Sequence, residues 1–434
     1  MTTSGGGASG TEFSLETLES GLRLVVAPLA HRRSVAVAVM VAVGSRYESS
    51  AESGISHFVE HMVFKGGARY PTARDISEAI EGVGGALNAA TDREATVYWT
   101  RVPTAQLSLA TDVLADMLFR PRFDADEVAK ERQVVVEELR MYQDNPQDQV
   151  QILFDDVIWP DHPLGRDVAG REETVRAFTP FDCGRHAAAH LRPDAIVVSL
   201  AGAVDVERGR ELVEQHVLPL LAGREARGEV APEPARPAGA AEVRFERRRV
   251  EQANILIGAR APSYFDDDRH AVDVFNVVLG EGMSSRLFLE LRERRALAYD
   301  VHSFINRMAD TGAFGISLGC EPRRAVTAIR AAVAELQRMA TELVGDGELH
   351  KAREYAKGRL QLQLESTSAL CEYVGQQELL TRRILTPDEL VARLDAISAE
   401  DVRRVAARIL DSGLRGAVVG PFRDETRLAA AMAA

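Results

Sequence analysis

Two apolar runs near the start of the chain, "GLRLVVAP" (21–28) and "SVAVAVMVAVGSRYE" (34–48), are rich in Val and Leu and read as β-strands. The spacing then changes. In "SGISHFVEHMVFKGG" (53–67) apolar positions recur at helical intervals, and Gly66-Gly67 marks the stop. "GALNAATDREATVYWTRVP" (85–103) predicts a strand pair around a polar turn, and "FDADEVAKERQVVVEELRMYQ" (123–143) a long helix capped by Asp124. The outline repeats further on: an apolar strand "ANILIGARAP", a Gly-rich turn "LGEGMSS", a helix "SRLFLELRERRALAY", a strand "FGISLGC", then helices to the C-terminus. The class is α+β, in two similarly built α/β-layer halves.

Between the halves, "AGREARGEVAPEPARPAGAA" has no apolar periodicity and is loaded with Pro, Ala, Gly and charge, as an extended linker would be. The predicted organisation is a disordered tail over 1–12, an N-terminal domain over 13–221, the linker over 222–241 and a C-terminal domain over 242–434. The tail, "MTTSGGGASG", lacks the basic and apolar regions of a leader peptide. The most apolar stretch, 34–44, is about half the ~20 residues a membrane span needs, so no span is expected.

Composition narrows the partners. With 434 residues, 46% hydrophobic, the chain can bury large cores. A net charge of -13 argues against a nucleic-acid surface, which depends on clustered Lys and Arg. Cys183, Cys320 and Cys371 are odd in number and far apart, so neither a disulfide framework nor a thiolate metal site is expected, and a reducing, cytoplasmic setting is the default.

The chemistry concentrates in "HFVEHMVFKG". On a helix, His57 and His61 are one turn apart and can present imidazole nitrogens to one ion, while Glu60 projects from nearly the same side. Phe58, Val59, Met62, Val63 and Phe64 make this helix mostly buried, and buried imidazoles are costly unless they bond something. H-x-x-E-H reverses the order of H-E-x-x-H, a zinc motif whose glutamate acts as general base. Two imidazoles leave the ion short of three protein ligands, which calls for a carboxylate from elsewhere. The helix "EVAKERQVVVEELRM" offers Glu127, Glu131, Glu137 and Glu138. Glu131 and Glu138 share a face; of the neighbours Glu137 and Glu138, only one can point inward with Glu131. His186 and His190 are also one turn apart, but no carboxylate lies between them and the run is Ala-rich, so the pair ranks below His57 and His61. His162 has no assigned role beyond surface or packing.

"HFVEHMVFKG" together with "ERQVVVEELRMYQDNP" resembles the inverted-zincin peptidases, the family of pitrilysin, insulysin and the mitochondrial processing peptidase, and most closely its short bacterial members. The resemblance covers nearly the whole chain. It implies Zn2+ held by His57, His61 and Glu138, with Glu60 as the base and Glu131 in support. "LNAATDREATVYW" resembles the strand beside that family's active site, which makes Asn88, Ala89 and Thr91 candidates for peptide contact and gives Glu94 and Thr96 structural roles. "GEGMSSRLFLELRERRALAYDV" resembles the segment carrying the family's Arg and Tyr pair, here Arg292 and Tyr299, placed to grip a peptide carbonyl or stabilise an oxyanion if one helix carries both. The resemblance further implies mostly antiparallel sheets and a homodimeric chamber, or pairing with a second family subunit, acting on short or unfolded peptides. Two alternatives stand beside it: a non-catalytic structural subunit, expected to lose motif residues that this chain keeps, and a peptide-binding subunit that retains zinc but cleaves poorly without a partner.

Overall fold

The computed structural model describes residues 2–5, 12–228, 230–236 and 242–433. Its strands are β1 (Thr2–Gly5), β2 (Phe13–Thr17), β3 (Arg23–Pro28), β4 (Ser34–Val41), β5 (Ala86–Thr91), β6 (Thr96–Pro103), β7 (Ile196–Gly202), β8 (Val243–Arg247), β9 (Ala253–Ala261), β10 (Ala298–Arg307), β11 (Gly312–Cys320) and β12 (Arg415–Gly420). The helices that matter most below are α1 (Ile55–Val63), α2 (Ala73–Glu81), α3 (Leu107–Phe119), α4 (Ala125–Asp144) and α5 (Pro146–Ile158). Among the described residues, no helix is long and apolar enough to cross a membrane.

The chain forms two units, Met1–Leu139 with Asp167–Glu233 and Leu360–Glu389, and Arg140–Arg166 with Pro234–Arg359 and Leu390–Ala434. This division departs from contiguous halves on either side of 222–241. Residues 140–166, which include α5, join the second unit, and residues 360–389 join the first. Of the linker, 229 and 237–241 lie outside the described residues; 224–228 and 230–236 carry neither helix nor strand. Of the tail expected over 1–12, residues 1 and 6–11 lie outside them, while β1 pairs antiparallel with β2.

The first unit holds a seven-stranded sheet, β1-β2-β3-β7-β4-β6-β5, and the second a five-stranded sheet, β10-β11-β9-β12-β8. Both are antiparallel apart from one pair each, β3 with β7 and β8 with β12. Read from those pairs outward, β3-β7-β4-β6-β5 and β8-β12-β9-β11-β10 are the same topology.

The unbroken apolar run of β4 is explained by its two buried faces. Val35, Val37, Val39 and Val41 point into the core beneath α1, α2 and α3, while Ala36, Ala38 and Met40 face the helix Thr367–Thr381. Small residues on the second face let that helix approach closely, and its Gly375 lies against Met40. The second unit follows the same plan. Ile255 and Ile257 of β9 enter a core with the helices Arg269–Gly280, Ala325–Thr341 and Ala399–Asp411, whereas α5 covers the opposite face through Phe154 at Gly258.

Candidate metal centre

Helix α1 is positioned before its chemistry begins. The Glu48 carboxylate accepts hydrogen bonds from Gly54 N at 2.7 Å and Ser56 N at 2.8 Å, placing negative charge on the helix N-terminus where free N–H groups need acceptors. Gly54 has φ 92, and a Cβ there would press within 2.5 Å of Ala169 O, so glycine is required. Phe58 and Met62 are fully buried, each stabilising the helix by about 1.5–3 kcal/mol. That burial fixes the rotation of α1 and aims His57, Glu60 and His61 at α4 and β5.

Three of the expected residues converge. His57, His61 and Glu138 each offer one ligand atom, and these atoms lie within 4.8 Å of one another; no other such group of three His, Cys, Asp or Glu exists among the described residues. Glu138 Oε2 is 3.5 Å from His61 Nε2, and Glu138 Oε1 is 3.9 Å from His57 Nε2. Glu137 is exposed on α4, so geometry separates the two neighbours that helical spacing alone left open. Glu131, two turns before Glu138, is buried and binds His61 Nδ1 at 2.9 Å through Oε1, while its Oε2 pairs with Lys65 Nζ at 2.6 Å.

The electrostatics suit a cation. Burial, reinforced by neighbouring His61, depresses His57 to about 4, which keeps the ring neutral with a lone pair available. Burial also opposes protonation of His61, yet the Glu131 hydrogen bond and the Glu138 charge outweigh it and raise its value. Glu131 sits below the ordinary carboxylate range because the His61 and Lys65 hydrogen bonds outweigh its burial. Glu60 is raised by burial, partly offset by a hydrogen bond from Thr91 Oγ1 at 2.5 Å. Two imidazoles and a carboxylate form a donor set suited to Zn2+ with room for a further ligand, and the Glu60 carboxylate stands outside the cluster. Among the described residues the buried His57 Nδ1 has no hydrogen-bond partner.

The remaining expected residues are placed differently from one another. On the edge strand β5, Asn88 faces outward, whereas Ala89 and Thr91 lie on the opposite face, and Thr91 is engaged by Glu60. Glu94 forms a buried pair with Arg46 at 2.6 Å, and Thr96 Oγ1 donates to Val43 O at 2.9 Å. In the second unit, Arg292 lies in a π-helical turn, Phe288–Arg294, and Tyr299 on β10, so one helix does not carry both. They still meet, because the Arg292 guanidinium sits 4.7 Å from the centre of the Tyr299 ring and 4.8 Å from that of Phe288. Tyr299 is 72% exposed. His186 and His190 stack at 4.6 Å without a completing carboxylate, and His162 Nδ1 accepts from Leu164 N in a turn. Sequence reasoning missed Lys65 as part of the centre; its signal was its position one helical turn after His61.

Residues 24–172 match the family described as Insulinase (Peptidase family M16), and residues 185–355 match the Peptidase M16 inactive domain. An uncharacterized zinc protease of Streptomyces coelicolor is 37% identical over 94% of this chain and 90% of its own length. One from Bacillus subtilis is 34% identical over 93% and 97%. The crystal structure of a protease from Helicobacter pylori superposes with a TM-score of 0.87 at 24% identity, covering 95% of this chain and all of that one. A peptidase M16 inactive domain from Pseudomonas fluorescens gives 0.86 at 17% identity, with 94% and 98% coverage.

Proposed function

Because the chain belongs to the insulinase family of peptidases, family M16, we propose that it is a zinc metalloendopeptidase acting on short or unfolded peptides. The observation that carries this reading is the convergence of His57, His61 and Glu138 within 4.8 Å, with Glu60 on the same helix as the histidines. His57, His61 and Glu138 hold the ion. Bound zinc supplies Lewis acidity, lowering the pKa of an attacking water and polarising the scissile carbonyl. Glu60 accepts the water proton on its carboxylate and returns it to the leaving amine; burial raises its pKa, which favours holding that proton between the two transfers.

Substrate handling falls to other residues. β5 ends the sheet order, so a peptide pairs with its main chain by strand addition beside Asn88 and Ala89, giving affinity with loose sequence preference. Thr91 orients Glu60 rather than the peptide. Arg292 and Tyr299 bind a peptide carbonyl or the oxyanion formed on attack, contributed by a second copy of the chain across a homodimeric chamber. The three free, buried cysteines suit the reducing cytoplasm.

The test is zinc content by elemental analysis together with cleavage of a quenched basic peptide, for the native chain, Glu138→Gln and Glu137→Gln. The reading expects one zinc per chain and cleavage in the native protein and Glu137→Gln, with both lost in Glu138→Gln. Native protein that holds no zinc and cuts nothing would support a non-catalytic subunit instead; cleavage only after adding a second family member would replace the homodimer with a mixed assembly.

A further inference from the structure

We infer that Lys65 is a positioning residue for the metal centre: its ammonium holds Glu131 in the orientation that bonds His61 Nδ1, leaving His61 Nε2 aimed at the ion. This rests on the zinc reading above and extends it to a residue that touches neither ion nor substrate.

The geometry is a three-membered relay. Lys65 Nζ lies 2.6 Å from Glu131 Oε2, Glu131 Oε1 lies 2.9 Å from His61 Nδ1, and His61 Nε2 faces Glu138 at 3.5 Å. Glu131 is 3% exposed, so water cannot readily replace a lost partner, and an unpaired Oε2 in that setting is costly. Without the ammonium, the carboxylate is free to rotate toward other donors. The imidazole it orients then loses its fixed tautomer and direction, which is how partners of metal ligands usually act.

The backbone holds Lys65 in place. It lies just past the end of α1, with its N–H donating to Met62 O at 3.1 Å. Gly66 follows with φ 141, and a Cβ there would collide with Pro71 O, so the chain turns sharply in a way only glycine permits. The turn closes with Gly67 N donating to Tyr70 O at 2.8 Å. The fully buried Asp116 of α3 clamps it by accepting from Arg69 N at 2.8 Å and Tyr70 N at 3.0 Å. A side chain at Gly67 would run into the same Asp116 carboxylate. Thus "FKGG" not only ends the helix but directs the Lys65 side chain back over Glu131.

The experiment measures Zn2+ affinity by competition with a chromogenic chelator, and melting temperature of the metal-stripped full chain. The proteins are native, Lys65→Met, Lys65→Arg, Glu131→Gln and the Lys65→Met/Glu131→Gln double variant. Lys65→Met is expected to weaken Zn2+ binding about 10–100-fold, and any fall in its metal-free melting temperature is relieved in the double variant, where no buried charge is left unpaired. Lys65→Arg recovers most of the affinity, and Lys65→Met causes no further loss once Glu131 is Gln. If native protein binds Zn2+ and Lys65→Met binds it equally well, the inference falls while the metal centre stands. It falls too if the loss of affinity, or the fall in metal-free melting temperature, persists in full beside Glu131→Gln. Native protein that binds no Zn2+ would overturn the metal centre itself.

Discussion

The two sheets share one topology, β3-β7-β4-β6-β5 and β8-β12-β9-β11-β10, each with a single parallel pair and a helix on its second face. Their chemistry differs. After β4, α1 places His57, Glu60 and His61 at the edge of the core; after β9, the helix Arg269–Gly280 carries one histidine, His270, and buries most of its length in Val, Phe and Leu. In the first unit the long helix after the last hairpin supplies Glu131 and Glu138. Its counterpart, Asp346–Leu364, contributes no metal-binding group of three among the described residues. The second unit presents instead the half-buried Arg292 against the exposed Tyr299. The same layer serves as a scaffold in both units, and the residues on two helices decide which one brings two histidines and a glutamate together.

The largest effect that would break this comparison is loss of the base. Glu60→Gln should retain zinc by elemental analysis and lose about 10²–10⁴-fold in kcat/KM on a quenched peptide; full activity would remove Glu60 from the reaction. Next is the second unit's share. Arg292→Ala should keep zinc and folding while lowering kcat by about 10²-fold, if its guanidinium stabilises the oxyanion. An effect on KM alone would make Arg292 a binding group.

The scaffold can be tested through its two close approaches. At Gly258 a Cβ would meet Phe314 O and come within 2.6 Å of the Phe154 ring, whereas at Gly375 it would meet the Met40 terminus at 2.6 Å. Main chain and a packed ring cannot yield as a methionine end can. Gly258→Ala should therefore cost about 1–3 kcal/mol in denaturant unfolding and Gly375→Ala less. The reverse order would show that the second-face layers are not packed alike.

A separate effect, on stability, concerns acid. Burial depresses the folded-state values of His57 to about 4, His186 to about 3 and His190 to about 4, below the ordinary 6.5. The unfolded chain therefore takes up these protons first, so stability present above pH 6.5 is lost as pH falls from 6.5 toward 4. All three belong to the first unit. Hydrogen exchange of the metal-free protein between pH 7 and 5 should show that unit opening first; uniform opening of both would contradict the assignment.

Much of this was legible from residues alone. Apolar runs long enough to be buried on both faces, as in β4 and β9, read as strands, and the 3.6-residue period of α1 and α4 set which side chains share a face. His57, Glu60 and His61 are close in sequence, so helix geometry alone brings them together. That Arg292 and Tyr299 do not share a helix was not legible, because the helix stops at Arg294 and the chain turns at Ala296 with φ 48, a left-handed residue without the usual glycine signal. Thr91 was legible as a residue near the site but not as a partner of Glu60, since that bond crosses from a strand to a helix.

The sequence by itself determined the elements, the motif helix and the set of carboxylates from which a third ligand could come, because those depend on local periodicity and chemistry. Only the tertiary structure decided that Glu138 rather than Glu137 closes the cluster, that Lys65 reaches Glu131, and that α5 and the helix Thr367–Thr381 join the units they do. Each of those outcomes depends on how one buried surface meets another, and such complementarity exists only once both surfaces have formed.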